Sequence, residues 1–454
     1  MDKQEMQKQH KQSMRLGVIA VVAALVLLLL VHMLLPAALM SGGGGGEYRF
    51  YMGPVLPMTV VSGGETVTAE RHVDFDFAPF SLERKSNIHP RQVIVTDRYT
   101  VDGSGEATLA YGFHGQLTDP PEQIPEILVN GELVESKLYP SVDANSLVDH
   151  AKKWEQYRDA VANNDFLGEA LETAPDWEQP VTVYHFSDLH WTDPSGEPYV
   201  YLHVQYDFDP EHTTLWRYGG AGSVFVDEDG TGHWHIQLPN DPEQFWLRDE
   251  AWLLVLGEDI QNMEFESSMG PRTSEEAPAG AAAYELEKTQ STFGEMVWQF
   301  AADYGTWRQY DGSEVSEYDT QEILYTGAMK RLLDGIPDNG TNYQSIDELF
   351  NATMHDRGLI YVVFTVTFPA EITVRYHQEA SLEGLGKKTP TDDLDLATTL
   401  GSALTFTDLS ASVTNTNQIE IIDQNFGFDL DAGITETKLD TSQEWYFLDA
   451  SVKS

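Results

Sequence analysis

The sequence predicts a β-rich α+β protein: an N-terminal transmembrane helix, then an extracytoplasmic β-sandwich-like region, a helical insert and further strand-rich and helical segments. Three observations lead to this prediction. Residues 16–35 form an apolar run without a charged residue. Short segments of alternating polarity, separated by turn residues, follow this run and are typical of half-buried strands. Segments with apolar residues at helical spacing interrupt the strands, which favours an α+β arrangement.

The apolar run has the length of a membrane-spanning helix. At about 1.5 Å per residue it covers about 30 Å, the thickness of the hydrocarbon core of a bilayer. Residues 1–15 form a basic head with Lys3, Lys8, Lys11 and Arg15. Because short basic flanks stay in the cytoplasm, we expect a single-pass anchor at residues 16–40, a cytoplasmic N-terminus and an extracellular C-terminal bulk. A cleaved signal peptide is the alternative, although its apolar region is usually only about 7 to 15 residues long.

The composition restricts the class of partner and chemistry. The chain has 27 basic and 73 acidic residues, a formal net charge of −46. Nucleic acid is a poor partner for such a surface, because binding a polyanion depends on Lys and Arg. The acidic bias is typical of a soluble, self-repelling surface or of a salt-loving host. The chain has no cysteine, which excludes disulfides, zinc–thiolate sites and thiol catalysis.

After a glycine-rich linker at residues 41–47, the first predicted domain is a β-sandwich-like region at residues 48–140. In Val73-Asp74-Phe75-Asp76-Phe77 the apolar residues alternate with acidic ones, which places them on one face of a strand. Asn130-Gly131 stands between two apolar segments and predicts a tight hairpin, because both turn positions require a positive φ. Several such strands at short spacing favour a sandwich.

Five further segments complete the predicted organisation. They are a helical segment at 144–175, a strand-rich region at 180–270, a flexible loop at 271–285, a helical region at 290–357 and a strand-rich C-terminal region at 358–454. Thr292 with Glu295, and Ser345 with Glu348, match the capping box that starts a helix. The sequence leaves open whether the late strands join a sheet with the early ones.

Histidines provide the main candidate for a metal site. Six of the fourteen lie between residues 185 and 235. His233 and His235 are two residues apart, so on a strand their imidazoles share one face and can share a metal. Asp227 and Asp229 lie just upstream and offer carboxylate ligands. We therefore expect a possible Zn²⁺ or Ca²⁺ site at these four residues. The alternative is a half-exposed strand and an ordinary hairpin turn, with no cofactor.

We identify no catalytic residue from the sequence. It lacks the G-x-S-x-G elbow of serine hydrolases. The glycine-rich stretch Gly219-Gly220-Ala221-Gly222-Ser223 has no lysine after it and so lacks the group with which a phosphate loop reaches its ligand. Tryptophans concentrate in the middle of the chain, where they either stack on sugar rings or fill the core.

Four phrases resemble single-pass, membrane-anchored surface proteins of Gram-positive bacteria. They are residues 49–57, 73–77, 254–260 and 424–430. The resemblance implies a location at the cell envelope and no activity.

Taken together, the sequence predicts a membrane-anchored extracytoplasmic binding or structural protein without catalytic activity. Its expected contacts are the membrane, through residues 16–40, and an envelope protein or glycan. Two other functions stay open: an envelope hydrolase, possibly metal-dependent, and the ectodomain of a signalling or regulatory assembly that acts through a partner.

Overall fold

The computed structural model of this chain describes residues 51–64, 67–81, 91–142, 153–172, 177–192, 200–227, 230–239, 247–268, 281–310, 321–334, 343–383 and 391–453. The predicted basic head, anchor and most of the linker lie outside these residues. No helix within the described ranges is both long enough and apolar enough to cross a membrane. The described chain is β-rich with several helices, as the sequence predicts.

Five sheets contain the strands of the described residues, and each strand is numbered in chain order. Sheet I has the order β23-β21-β2-β3-β18-β5-β6 and sheet II the order β1-β4-β17-β7. The strands of sheet I are β2 (Thr68–Asp76), β3 (Gln92–Asp102), β5 (Glu126–Val129), β6 (Glu132–Leu133), β18 (Ala370–Glu379), β21 (Thr405–Thr414) and β23 (Glu436–Lys438). Those of sheet II are β1 (Thr59–Gly63), β4 (Glu106–Gly115), β7 (Lys137–Pro140) and β17 (Gly358–Thr367).

Sheets III, IV and V have the orders β19-β20-β24-β22, β15-β8-β13-β10-β16 and β11-β12-β9-β14. The strands of sheet III are β19 (Ser381–Glu383), β20 (Thr391–Ala397), β22 (Ile419–Gln424) and β24 (Trp445–Val452). Those of sheet IV are β8 (Pro180–Trp191), β10 (Thr213–Gly219), β13 (Ala251–Gly257), β15 (Ala282–Thr292) and β16 (Tyr343–Ser345). Those of sheet V are β9 (Tyr201–Asp207), β11 (Gly222–Val226), β12 (Thr231–Gln237) and β14 (Gln261–Ser268).

Five helices lie in the described ranges: α1 (Trp154–Asn163), α2 (Phe166–Leu171), α3 (Phe293–Tyr310), α4 (Gln321–Asp334) and α5 (Ile346–His355). Helices α1 and α2 pack on the outer face of sheet II, where Tyr157 and Phe166 meet Leu359 and Tyr361. Helices α3, α4 and α5 cover one face of sheet IV. The other face of sheet IV packs on sheet V.

Sheets I and II pack face to face because the inward residues of their strands are apolar. Tyr111 and Phe113 of β4 contact the ring of Tyr376 on β18 at centroid distances of 6.0 and 6.4 Å. Sheet III extends the layer opposite sheet I, and its Tyr446 joins Phe426 and Phe75 in the same core. The alternation predicted for residues 73–77 is therefore confirmed, with Val73, Phe75 and Phe77 buried.

The early and late parts of the chain form common sheets, which the sequence left open. β17 lies between β4 and β7, and β18 lies between β3 and β5, in both cases antiparallel. β21 pairs with β2 in parallel. The sandwich is thus not built from residues 48–140 alone, because residues 358–383 supply interior strands to both of its main sheets.

Local signals differ in how well they match the structure. Asn130 and Gly131 have φ values of 53° and 83°, so the predicted hairpin between β5 and β6 is confirmed. Thr292 and Glu295 exchange the hydrogen bonds of a capping box at α3. The second predicted box is wrong: Ser345 makes no side-chain cap, and Glu348 pairs with Arg217 instead. Strand β15 begins at Ala282, inside the segment predicted as a loop.

Candidate functional site

The histidines proposed as metal ligands lie on the outer face of sheet V. Trp234 and Ile236 point from β12 into the core between sheets IV and V, so His233 and His235 occupy the opposite face, as their spacing predicts. His233 Nε2 lies 3.1 Å from Asp227 Oδ2 in the turn between β11 and β12.

The structure brings His233 and Asp227 together, but it gives His235 a different neighbour. His235 stacks on His203 of β9, with ring centroids 3.9 Å apart and planes within 3°. His203 Nε2 in turn contacts the Ser268 hydroxyl at 2.9 Å. Asp229 lies outside the described residues. Within those residues no group of three or more His, Asp or Glu side chains has an arrangement that could hold a metal. His203 and Ser268 are the partners that sequence reasoning missed, and only the register of β9 and β14 brings them to this face.

Several tryptophans considered for sugar stacking fill the core instead. Trp191, Trp216, Trp234 and Trp252 are buried. Trp246 lies outside the described residues.

A buried ion pair lies at the centre of the sandwich. Arg71 Nη2 donates to Asp97 Oδ2 at 2.8 Å, and both side chains are fully inaccessible to solvent. Arg71 also donates to the carbonyls of Leu56 and Ala397, and Tyr99 donates to Asp97 at 2.8 Å. Burial alone would lower the pKa of Arg71, but the ion pair raises it above its ordinary value. Because the pair is inaccessible to solvent, we assign it a structural role: its hydrogen bonds hold the strands together.

The sequence pattern of β2 and β3 indicates this pair. Arg71 follows Ala69 and precedes Val73 on the inward face of β2, and Asp97 stands between Val95 and Tyr99 on the inward face of β3. Opposite charges at apolar positions of adjacent strands predict a buried salt bridge, because an isolated charge there is costly.

A cavity lies at one end of the sandwich. Its volume is about 680 Å³, within the range usual for small-molecule and peptide pockets. It lies where the chain passes from β6, the last strand of sheet I, to β7, the last strand of sheet II. Helices α2 and α4 form the opposite wall with residues 170–172, 322–323 and 326–327. The cavity therefore lies between the ends of two sheets and a pair of helices.

The walls of the cavity are mostly apolar. Ile124, Ile127, Leu138, Ala170 and Ile323 contribute to them. Leu133 also lines the cavity, and 68% of its surface is exposed. An apolar surface that is open to solvent is typical of a binding site.

Charged groups around the cavity are mainly acidic. Among the described residues, Glu126, Glu135, Glu172 and Glu322 line it together with one basic residue, Lys137. The field at the cavity therefore attracts cations and repels anions.

A buried lysine joins the two helices of the cavity wall. The ammonium of Lys330 on α4 contacts the Glu169 carbonyl, donates to the Ala170 carbonyl at 3.1 Å and lies 3.5 Å from the Glu169 carboxylate. These carbonyls belong to the last turn of α2, where backbone acceptors lack helical partners. The Glu169 carbonyl also accepts from Glu172 N–H at 3.2 Å, and Lys330 adds bonds that tie the end of α2 to α4.

The sequence of the chain matches no protein-family model and no curated protein.

Proposed function

We propose that this chain is a membrane-anchored, extracytoplasmic binding protein of the bacterial cell envelope and that the cavity between β6, β7, α2 and α4 holds its ligand. The observation that carries the proposal is the cavity itself: about 680 Å³, apolar walls and an open mouth at the ends of two sheets. The apolar run at residues 16–35 and its basic head support the anchor and its orientation.

The orientation is tested with single cysteines, since the natural chain has none. Ser13→Cys lies in the basic head and Ala162→Cys on the exposed surface of α1. In intact cells, a membrane-impermeant cationic methanethiosulfonate reagent should modify the Ala162→Cys variant and leave the Ser13→Cys variant unmodified until lysis. Modification of both, or only of Ser13→Cys, would contradict the proposed topology.

Occupancy of the cavity is tested with Thr326→Cys, whose side chain lines the cavity. The full chain purified into nanodiscs should react readily at this position. In the cells that naturally produce the protein, the bound ligand should slow the reaction by about fivefold or more, whereas Ala162→Cys should react equally in both settings. Equal rates at Thr326→Cys in cells and nanodiscs would contradict the proposal. So would slow reaction in both, because the chain itself would then fill the cavity.

A further inference from the structure

One edge of β7 faces the cavity. β7 pairs with β17 on its other side and is the last strand of sheet II among the described residues. Ser141 N–H donates to the Leu359 carbonyl at 3.0 Å, which sets the alternation of the ladder. In an antiparallel pair, alternate residues direct both backbone groups to the same neighbour. The backbone groups of Tyr139 therefore face β17, and those of Leu138, a residue that lines the cavity, point away from β17.

The edge of β6 at the cavity also has backbone groups that point away from the neighbouring strand. Val134 N–H donates to the Ile127 carbonyl at 3.1 Å, so the backbone groups of Leu133 point away from β5. β6 is the last strand of sheet I in the described part of the chain. A free strand edge beside apolar walls is the arrangement by which sheets bind an extended peptide as an added strand.

The acidic rim selects the charge of such a peptide. Four carboxylates and one ammonium line the cavity, and the whole chain carries a net charge of −46. A peptide with acidic side chains would be repelled both during its approach and at the rim of the cavity. A peptide with basic side chains would be attracted at both stages. Apolar residues between the basic ones would contact Leu138, Ile323 and the other apolar walls.

From this geometry we infer that the cavity binds an extended peptide segment of a partner protein, with basic and apolar residues in alternation, which adds as a strand to the edge of β7 that no described strand occupies. The inference rests on the proposed function, since it names the ligand class of the same cavity. Pro140 lacks an N–H, so strand pairing ends there and the peptide is held over only a few residues.

The test measures fluorescence anisotropy of labelled peptides with the full chain in nanodiscs of neutral phosphatidylcholine. The probes are Lys-Val-Lys-Val-Lys-Val, its Glu-Val counterpart and the Lys-Val peptide with N-methylated valines. We expect the Lys-Val peptide to bind about tenfold or more tightly than the Glu-Val peptide. N-methylation should weaken binding similarly, because it removes the donors of an added strand. Empty nanodiscs provide the background.

Charge-reversal variants locate the binding. Glu135→Lys with Glu322→Lys should remove most of the preference for the basic peptide. Glu420→Lys with Glu436→Lys changes the net charge by the same amount at exposed positions of β22 and β23. This pair should keep the preference for the basic peptide. An equal effect of both pairs would overturn the inference, because attraction would then be a property of the whole surface. So would equal binding of all three peptides, or none.

Failure of this inference is distinguishable from failure of the proposed function. Protection of Thr326→Cys in cells, together with no preference for the Lys-Val peptide, would retain the cavity as the binding site and exclude a basic strand-forming peptide as its ligand. Absence of protection in cells would overturn the proposed function itself.

Discussion

The buried pair of Arg71 and Asp97 links four segments of the protein. Arg71 belongs to β2, and its guanidinium donates hydrogen bonds to β3, to the segment before β1 and to the end of β20. Such pairs contribute little compared with an apolar replacement of both partners, but removal of one partner leaves a buried charge without compensation. The arrangement therefore predicts an asymmetry between single and double substitutions.

Arg71→Met should lower the free energy of unfolding of the sandwich by about 3–5 kcal/mol, because the Asp97 carboxylate would remain buried without its partner. Chemical denaturation followed by tryptophan fluorescence measures this loss. The double variant Arg71→Met with Asp97→Leu should recover much of it. A double variant as unstable as the single one would show that the pair does more than satisfy its own charges.

His114 gives a pH dependence with a definite sign. It lies on the face of β4 that carries α1, with Nε2 3.0 Å from the Tyr157 hydroxyl. Burial, assisted by the charge of Arg357, lowers the pKa of His114 from 6.5 to about 3. The unfolded chain therefore binds a proton at this residue before the folded chain does. The stability contribution is fully present above about pH 6.5 and is lost as the pH falls toward 3.

His114→Gln should accordingly unfold with a weaker dependence on pH between 6.5 and 5 than the natural chain, by up to about 1.4 kcal/mol per pH unit. The free energy of unfolding at several pH values measures the difference. Parallel curves for His114→Gln and the natural chain would be inconsistent with a buried neutral imidazole.

At the level of the element, the hairpin of β5 and β6 depends on its turn. Gly131 has a φ of 83°, and a Cβ there would meet no atom within 4 Å. Gly131→Ala should thus cost only backbone strain, about 1–2 kcal/mol. Gly105 has a φ of 80° and equally open surroundings in the turn between β3 and β4. Both variants should lower the melting temperature similarly, but only Gly131→Ala should weaken peptide binding. Equal binding by the two variants would exclude β6 from the site.

Lys330 should control the packing of α2 against α4. Lys330→Met keeps the length of the side chain but leaves the Glu169 carboxylate and the last carbonyls of α2 without the ammonium. Hydrogen–deuterium exchange should increase in residues 166–172, while Lys153→Met, at an exposed ion pair, should leave exchange there unchanged. Unchanged exchange in the Lys330→Met variant would show that apolar contacts alone hold α2.

At the scale of single elements, the sequence predicted those features that depend only on residues close together in the chain. The Asn130-Gly131 turn, the capping box of Thr292 and the alternation of Val73 and Phe75 are local patterns, and the structure confirms them. The capping box is not formed at Ser345, which ends β16 beside β10, and Glu348 contacts Arg217 on β10, 131 residues away in sequence. A prediction from a local pattern fails where tertiary contacts engage the same residues.

At the scale of the whole molecule, the pairing of early and late strands was beyond the sequence. β17 begins with a continuous apolar run and β18 has apolar residues at alternate positions, and either pattern fits many positions in a sheet equally well. The cavity was not predicted because its walls come from distant parts of the chain: α2 and α4 are separated by about 150 residues and meet only in the folded chain. Only the shared face of His233 and His235 was accessible from spacing.

The measurement that tests the account most directly is the reaction of Thr326→Cys in nanodiscs with the methanethiosulfonate reagent, with and without saturating Lys-Val peptide. The account predicts that the peptide slows reaction at this position about fivefold or more and leaves Ala162→Cys unaffected. An unchanged rate at Thr326→Cys, with the peptide shown to be bound by anisotropy, would place the ligand elsewhere and contradict the assignment of the cavity.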